Sequence, residues 1–209
     1  MDKWLHIIGA GGSAIEIAQA AELSGYRIKG YFVEEQYLYS SNMPVKHIEE
    51  LHKLERPKVI CSISDPGTRA RLIKEHKHAE FVNIAHPRAI YPEYLIGHGC
   101  YIGAGAVISP QTIFGSHVQV HNGAIIGHET RIADCSTVLP GSIISGRCFI
   151  GYQSVIGAGA KVAQDITVGA QSMVGMGSVV IRDVKEGTVV VGIPAREIPA
   201  ENSQANGKR

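Results

Sequence analysis

The sequence lacks the features that would place the protein in a membrane, in an oxidising compartment or on a nucleic acid. No apolar run approaches the ~18 residues that a membrane span needs, and no basic segment followed by a signal-peptide core opens the chain. The net charge is only +1, which gives no reason to expect a nucleic acid or an anionic lipid as partner. The 4 cysteines show no CxxC spacing. We therefore expect a reduced, cytoplasmic protein.

What the sequence has in quantity is a six-residue repeat between Ile96 and Val180. Two positions before most of the repeated residues lies a second, smaller one, and Cys100 and Cys148 fall in this column, which favours small buried side chains over metal ligands. Glycine often follows the apolar residue directly. The apolar column itself runs without a break through Ile96, Ile102, Ile108, Phe114, Val120, Ile126, Ile132, Val138, Ile144, Ile150, Ile156, Val162, Val168, Val174 and Val180.

A period of six fits neither the 3.6 residues of a helical turn nor the alternation of a long strand. It is typical of a parallel β-helix, in which each hexapeptide is a short strand plus a corner and about three of them close one coil. The apolar and small residues would point inwards, and we expect the glycines to supply the backbone torsions of the corners. Each coil buries its apolar residues only by stacking on its neighbours.

The N-terminal part has the pattern of a small nucleotide-binding α/β unit. A strand over 4–8 leads through Gly9, Gly11, Gly12 and Ser13 into a helix, and a second strand over 26–33 ends at the acidic pair Glu34 and Glu35. Such a glycine turn lets the backbone approach a phosphate at the start of the helix. The run is G-x-G-G and not the full G-x-G-x-x-G, so a tight strand-to-helix turn without a ligand is the alternative.

Further strands are predicted over 58–62 and 81–84, with a helix over 68–76 between them. Ser64 and Asp65 follow the first of these strands. Because ligand groups in parallel sheets gather at the carboxyl ends of the strands, the glycine turn, the acidic pair and this segment are expected to converge on one crevice. We predict a Rossmann-like domain over 1–85, a β-helix domain over 86–198 and a disordered tail over 199–209.

His128 and Glu129 follow the repeat position Ile126-Gly127, which places them at a corner on the outside of the predicted coil. One coil later lies Gly146, about one strand spacing, ~4.8 Å, from the His128 backbone. An imidazole that accepts a proton and a nearby N–H that holds an oxyanion are what acyl transfer needs. Taken alone, the dipeptide also fits an exposed histidine beside an exposed acid.

A metal site is the other chemistry that the histidines suggest. His117, His121 and His128 are close in sequence, and three histidines are a common zinc ligand set. The three histidines occupy different positions within the coil, so their side chains do not lie above one another on the same face. A neighbouring subunit would therefore have to supply ligands. We expect no metal.

Taken together, these segments resemble one family of enzymes. The glycine-rich N-terminal unit, the His86-Pro87 linker, the hexapeptide coils, the His128-Glu129 corner and the closing Gly-Ile-Pro-Ala-Arg over 192–196 are similar to the hexapeptide-repeat sugar O- and N-acetyltransferases. These are the relatives of sialic acid O-acetyltransferase and of the bacillosamine and perosamine N-acetyltransferases. The resemblance covers roughly residues 4–198.

The resemblance implies a left-handed β-helix homotrimer that uses acetyl-CoA and has its active site between subunits. It implies catalytic roles for His128 as base, for Glu129 as the acid that polarises it and for Gly146 as the N–H donor to the thioester carbonyl. The sugar nucleotide would be bound by Gly9, Gly11, Gly12, Ser13, Glu34, Glu35, Ser64 and Asp65. The CoA would be bound by Gly146, Ile156, Gly157, Met176, Gly192, Pro194 and Arg196.

Three positions depart from the family's usual pattern. Ser13 stands where the glycine loop usually has histidine, Thr137 where a second histidine often lies, and His121 where asparagine is common. The first bears on nucleotide recognition, and the other two bear on the identity of the acceptor.

The function that the sequence favours is acetyl transfer from acetyl-CoA to the amino group of a nucleotide-linked sugar, with His128 as base and without a covalent enzyme intermediate. A sugar hydroxyl, as in sialic acid, is the close alternative acceptor. From other classes, a zinc-dependent protein of the carbonic anhydrase type and a non-catalytic nucleotide-binding trimer are the alternatives. No nucleic acid and no membrane span are expected.

Overall fold

The computed structural model describes residues 3–38, 44–93 and 96–198. These residues form a five-stranded parallel sheet flanked by two helices, followed by a long parallel β-helix. The predicted tail over 199–209 lies outside the described residues.

The N-terminal sheet has the strand order β3-β2-β1-β4-β5, and all its pairings are parallel. Helix α1 follows β1 and packs Ala14, Ile17 and Ala21 against Leu5 and Ile7 of that strand. Helix α2 follows β4, with Asp65 as its N-cap. The bounds are β1 Lys3–Ile8, α1 Gly12–Leu23, β2 Tyr26–Val33, β3 Val45–His47, β4 Lys58–Cys61, α2 Pro66–Glu75 and β5 Glu80–Phe81, with 3-10 turns at Glu35–Tyr37 and Ile48–Lys53.

The β-helix has three parallel faces whose strands pair with the strand one coil later, for example Gln119 with Thr137 and Arg131 with Phe149. The fold class predicted from the repeat, a Rossmann-like unit followed by a left-handed parallel β-helix, is confirmed. Its strands are β6 Ile84–Ala85, β7 Tyr101–Ile102, β8 Val107–Ile108, β9 Ile113–Phe114, β10 Gln119–Val120, β11 Ile125–Ile126, β12 Arg131–Ile132, β13 Thr137–Val138, β14 Ile143–Ile144, β15 Phe149–Ile150, β16 Val155–Ile156, β17 Lys161–Val162, β18 Thr167–Val168, β19 Met173–Val174, β20 Val179–Val180, β21 Val189–Gly192 and β22 Ala195–Glu197.

The interior of the coil is built from the two columns that the sequence indicates. From Ile102 onwards each apolar repeat residue is at most 5 % exposed, and Ile96 packs against this core from its edge. The hydroxyl groups of the column of small residues form hydrogen bonds with backbone carbonyls inside the coil. Thr130 Oγ1 donates to the Ser145 carbonyl at 3.1 Å, and Ser136 Oγ donates to the Gly151 carbonyl at 2.8 Å. These polar side chains can therefore be buried in the core without leaving a hydroxyl group unpaired.

The expectation that the glycines after the apolar column supply the backbone torsions of the corners is wrong. The residues with positive φ recur every sixth position from Gly99 to Gly177, and many of them are not glycine, such as Glu129 and Arg147. The glycines that follow the apolar column have no positive φ. A Cβ at Gly151 would lie 2.5 Å from the backbone nitrogen of Ala170 in the next coil. These glycines are needed because coils approach each other closely there, not because of their torsions.

Two local predictions differ from the structure. The strand expected over 81–84 is split: Glu80–Phe81 joins the N-terminal sheet, whereas Ile84–Ala85 pairs with Tyr101–Ile102 and caps a face of the coil. The segment expected as a polar loop before residue 48 contains β3, and the helix expected next is a 3-10 turn. Short strands with mixed polar residues carry too weak a periodicity to be recognised.

Candidate active site

His128 and Glu129 lie at a corner between β11 and β12, and both side chains are about half exposed. The ring Nδ1 of His128 is 2.8 Å from Glu129 Oε1. A carboxylate accepts a hydrogen bond from Nδ1–H, so this contact selects the tautomer that leaves the lone pair of Nε2 free. Glu129 reaches back to its neighbour because its backbone is left-handed, with φ of 58°.

Gly146 lies directly under the His128 ring, as the one-coil offset predicts. The His128 carbonyl accepts the Arg147 N–H at 2.8 Å, which locks the two corners together. A Cβ built on Gly146 would lie 2.8 Å from both Cε1 and Nε2 of His128. Only glycine therefore leaves the ring in this position.

The N–H of Gly146 donates to no acceptor among the described residues. Three corners nearer the start of the coil cap the corresponding group with a side chain from the next coil, for example Asn122 Oδ1 accepting the Ala104 N–H at 2.8 Å and Asp134 Oδ1 accepting the Ser116 N–H at 2.8 Å. At this corner the capping position holds Gln164, whose amide instead donates to Asp165. An N–H donor is thus left available beside an imidazole.

A bidentate ion pair flanks this corner. Arg147 Nε and Nη2 donate to the two carboxylate oxygens of Asp165 at 2.7 and 3.1 Å. These hydrogen bonds lower the pKa of Asp165. Glu129, Arg147 and Asp165 occupy the same corner position in successive coils and alternate in charge, which suits their side-by-side packing.

A cavity of about 370 Å³ opens at the carboxyl edge of the N-terminal sheet. The structure brings Gly9, Gly11, Glu34 and Asp65 of the predicted substrate-binding residues to its wall. Gly9 has φ of 108°, and a Cβ there would lie 2.4 Å from Ser62 Oγ, so this position requires glycine. Sequence reasoning missed the apolar side of the cavity, which is formed by Ile8, Phe32, Val33, Tyr37, Ile48, Ile63, Thr68 and Leu72.

The other predicted substrate residues lie beside the cavity and not on its wall. Ser13 and Ser64 form a hydrogen bond of 2.9 Å between their hydroxyls. Gly12 begins α1, and the N–H groups of Gly12 and Ser13 have no acceptor among the described residues. Glu35 begins the 3-10 turn that follows Glu34.

Glu34 is held in place by a cation from helix α2. Arg71 Nη2 donates to Glu34 Oε1 at 2.9 Å, while Arg71 Nη1 pairs with Glu75 at 3.0 Å. The hydrogen bond to Glu34 raises the pKa of the Arg71 guanidinium. No signal in the sequence connected Arg71 with Glu34, because the contact joins residues from different elements.

The residues expected to bind CoA lie on the later coils and the final hairpin. Met176 is 80 % exposed, and Arg196 lies on β22 beside a 170 Å³ depression that Arg182 and Lys185 also line. Ile156 is fully buried in the coil, so its side chain cannot touch a ligand outside. The remaining expected residues are Gly157 in the close contact between coils, Gly192 with φ of 99° and Pro194 after a cis peptide bond.

The three histidines considered for zinc do not converge. His117 packs edge-on against Phe81 with ring centroids 5.0 Å apart, and burial lowers its pKa to about 4. His121 is buried, with Nδ1 3.7 Å from Glu16 on α1, and burial lowers its pKa. In residues 3–38, 44–93 and 96–198, no group of three or more His, Cys, Asp or Glu side chains is arranged to hold a metal ion.

The N-terminal unit contacts the coil through buried polar side chains, of which sequence reasoning had singled out only Thr137. Arg69 of α2 and Gln119 of β10 are each 1 % exposed, and both donate to the carbonyl of Ile63 in the segment between β4 and α2. Thr137, one of the departures from the family pattern, is buried in this contact and donates to the Ser64 carbonyl at 3.1 Å. An arginine within an ordinary helical pattern carries no sign of burial.

Comparisons with known proteins agree with this architecture. Residues 4–76 match the family model of the PglD N-terminal domain. No curated protein sequence matches the chain. Within the described residues, no helix has the length and apolar character that crossing a membrane would require.

Solved structures of similar fold cover nearly the whole chain. One is PerB from Caulobacter crescentus in complex with CoA and GDP-perosamine, with a TM-score of 0.87, 25 % identity, and coverage of 93 % of this chain and 97 % of that one. Another is the acetyltransferase domain of PglB from Neisseria gonorrhoeae in complex with acetyl coenzyme A, with a TM-score of 0.86, 26 % identity, and coverage of 95 % and 100 %. WeeI from Acinetobacter baumannii shares the fold at 20 % identity with a TM-score of 0.76, and the match covers 94 % of this chain and 100 % of that one.

Proposed function

We propose that this chain, which resembles the hexapeptide-repeat sugar acetyltransferases in its fold and its N-terminal domain, transfers an acetyl group from acetyl-CoA to the amino group of a nucleotide-linked sugar. The observation that carries the proposal is the corner of His128, Glu129 and Gly146. It combines an oriented base with a free N–H donor. PerB and the PglB domain, which share the fold, were solved with CoA or acetyl-CoA.

In this mechanism His128 acts as the general base. Glu129 Oε1 accepts a hydrogen bond from Nδ1–H, with the two heavy atoms 2.8 Å apart, so Nε2 is free to take a proton from the attacking amine. The same ion-pairing stabilises the imidazolium that forms. Because the ring is held by Glu129 on one side and by Gly146 below, little ordering remains to be done when the substrate arrives.

The amine nitrogen attacks the thioester carbonyl and forms a tetrahedral intermediate. The Gly146 N–H is the donor to its oxyanion, because it has no acceptor among the described residues in the resting protein. The intermediate then expels the CoA thiolate as the C–S bond breaks, and His128 returns the proton to that sulfur. Transfer is direct, because the four cysteines are free and buried and none of them is placed as a nucleophile beside the base.

The cavity at the edge of the N-terminal sheet is the proposed site of the sugar nucleotide. Gly9 and Gly11 lie at its wall, and the free N–H groups at the start of α1 favour the negative charge of a pyrophosphate. Phe32 and Tyr37 offer aromatic surface to a base, and Glu34 offers a carboxylate. Glu35, Ser13 and Ser64 support this wall from beside it.

CoA is proposed to run along the later coils to the final hairpin, where Arg182, Lys185 and Arg196 bring positive charge together. In this arrangement Met176 and Gly157 line the path, and Gly192 and Pro194 shape the hairpin. The buried Ile156 contributes through its backbone position alone.

We propose further that the protein is a cytoplasmic homotrimer. His128 is half exposed in the single chain, and Ile113, Ile125, Phe149 and Met173 on the coil surface are each 43–45 % exposed. Ile125 lies on the face before the His128 corner and Ile113 and Phe149 lie on the face after it, whereas Met173 lies on the third face. A neighbouring coil packed on this edge would therefore cover the first three of these residues and enclose the corner. Light scattering is expected to give three times the chain mass of 22.4 kDa, and a monomer would contradict this part of the proposal.

The experiment that tests the function is a thermal-shift screen followed by a coupled assay of free CoA. Acetyl-CoA alone and together with GDP-perosamine, UDP-linked amino sugars or CMP-sialic acid is added at about 100 times Kd, where a bound ligand adds about 2.7 kcal/mol to the free energy of unfolding. Stabilisation by acetyl-CoA and by one amino-sugar nucleotide, with release of CoA, is expected. CMP-sialic acid as the only acceptor would assign O-acetylation, and no response to acetyl-CoA would contradict the transferase.

A further inference from the structure

The segment between β4 and α2 is held by the coil through its backbone carbonyls. Gln119 Nε2 donates to the Cys61 carbonyl at 2.9 Å and to the Ile63 carbonyl at 3.3 Å. Thr137 Oγ1 donates to the Ser64 carbonyl at 3.1 Å. Ile63 is also part of the cavity wall, so the coil holds one side of that cavity in place.

Arg69 makes the central connection in this contact. Its Nη1 donates to the Ile63 and Ser64 carbonyls at 2.7 and 3.1 Å, on the cavity side. On the coil side its Nε donates to the His117 carbonyl at 3.1 Å, and its Nη2 donates to the Thr137 hydroxyl at 2.9 Å. Nη2 also donates to the carbonyls of Cys135 and Ser136.

A buried guanidinium without a carboxylate partner is costly, and the hydrogen-bond acceptors of Arg69 among the described residues are all neutral. Arg69 is 1 % exposed, and burial lowers its pKa. Removing such a charge from water carries a penalty of several kcal/mol, which only a full set of hydrogen bonds offsets. An unbranched apolar side chain such as methionine would fill much of the same space without that penalty. The arginine is therefore better explained by what its forked geometry holds together.

Helix α2 faces the cavity with one side and contacts the coil with the other. Thr68 and Leu72 face the cavity, while Arg69 reaches into the coil. Asp65 caps the helix by accepting the Thr68 N–H at 2.7 Å and lines the cavity as well. A shift of Arg69 would therefore move a wall of the cavity relative to the coil.

We propose that Arg69, with Thr137 as its partner, is a positioning residue that fixes the sugar-nucleotide cavity on the catalytic coil. The kinetic part of this inference rests on the proposed function. Acetyl transfer requires the bound sugar amine to meet the thioester, and a misplacement of about 1 Å lowers rates by about 100-fold. Neither residue lines the cavity itself.

The kinetic test compares Arg69→Lys, Arg69→Met, Thr137→Val and Thr137→Ser with the unmodified protein, using acetyl-CoA and GDP-perosamine. Lysine keeps the charge but cannot reproduce the fork, and valine keeps the shape of threonine without its hydroxyl. We expect kcat/KM for GDP-perosamine to fall by about 10- to 100-fold in the Lys and Val variants, with KM for acetyl-CoA unchanged. Ser, which keeps the hydroxyl, is expected to restore most of the activity lost in Val.

The matched control is Lys74→Met, which removes an exposed cation from the same helix. It is expected to leave both KM values unchanged. A raised KM for acetyl-CoA in Arg69→Lys and Thr137→Val, or an unchanged kcat/KM for GDP-perosamine in both, would overturn the inference. If Arg69→Met does not fold, the Lys and Val variants still decide.

Hydrogen exchange measured on the ligand-free protein tests the same inference without any substrate. Amides over 61–65 are expected to exchange faster in Arg69→Lys and Thr137→Val, while those of the coil over 143–180 keep their protection. Unchanged exchange over 61–65 would overturn the positioning role. If the unmodified protein acetylates none of the acceptors in the thermal-shift screen, the proposed function fails, and this measurement alone decides about Arg69.

Discussion

At the scale of single residues, the catalytic proposal depends on one imidazole held between a carboxylate and a glycine. Glu129 fixes its tautomer, and Gly146 fixes its height above the next coil. Neither interaction contributes much to folding, because the ring is half exposed. Changes here are therefore expected to affect rate far more than stability.

Replacing His128 with alanine is expected to lower kcat by about 100- to 10,000-fold, because the amine then loses its proton acceptor. The melting temperature should change little. The control is His98→Ala, an exposed histidine at another corner, which should keep full activity. Turnover of His128→Ala at the unmodified rate would remove His128 from the mechanism.

Replacing Gly146 with alanine tests the space under the ring. The new Cβ would lie 2.8 Å from Nε2, and φ at this residue is not positive, so the backbone itself accepts alanine. We expect the ring to be pushed aside and kcat to fall by about 10-fold or more. In a His128→Ala background any cost of Gly146→Ala in unfolding free energy should vanish. A cost that persists there would show that the ring is not what the methyl group meets.

At the scale of elements, the two kinds of coil glycine differ in why they are glycine. Gly151 is needed for the approach of the next coil, whereas Gly105 has φ of 67° and open space around its Cβ position. Sequence reasoning found the columns but assigned the torsions to the wrong glycines. A six-residue period shows which positions recur, but it does not show which of them turns the backbone.

This difference predicts opposite responses to asparagine. Asparagine enters the left-handed region more readily than alanine, so Gly105→Asn should unfold less easily than Gly105→Ala, which costs about 1–2 kcal/mol. At Gly151 the larger side chain should be worse than alanine, whose overpacking costs about 1–3 kcal/mol. Denaturant unfolding measures all four variants. The same rank order at both positions would contradict the assignment.

At the scale of the whole molecule, buried histidines make stability depend on pH. His6, His117 and His121 all have a pKa lowered by burial, that of His117 from 6.5 to about 4. Between these two values the unfolded chain binds protons that the folded chain does not. The free energy of unfolding should therefore decrease as the pH falls from about 6.5 to 4 and be fully present above this range.

The variant His117→Asn tests this dependence, because asparagine tolerates the φ of 59° at that corner. It should be less stable than the unmodified protein at neutral pH, where it loses the contact with Phe81. The difference should shrink as the pH falls towards 4. Urea unfolding at a series of pH values measures it, and a constant difference would contradict the role of His117.

The sequence allowed the coil to be predicted because its evidence is repeated in every hexapeptide. The adjacency of His128 and Gly146 followed from the same period, and the resemblance to sugar acetyltransferases is confirmed by the comparisons. The division at residue 85 and the individual binding residues stay predictions. Arg69 could not be found in this way, because its acceptors are backbone carbonyls from two different units, and carbonyls leave no trace in a sequence.

The unbroken register of the coil also fixes distances along its axis, in the manner of a measuring rod. Successive strands on one face pair without a slip from β8 to β20, so each coil adds one graduation of about 4.8 Å. The positions one, two and three coils after His128 are Gly146, Gln164 and Arg182, which sets the reach from the base to the basic end of the rod at about 14 Å. The chain can lengthen or shorten this reach only in whole graduations, because any other insertion would turn the base away from its face.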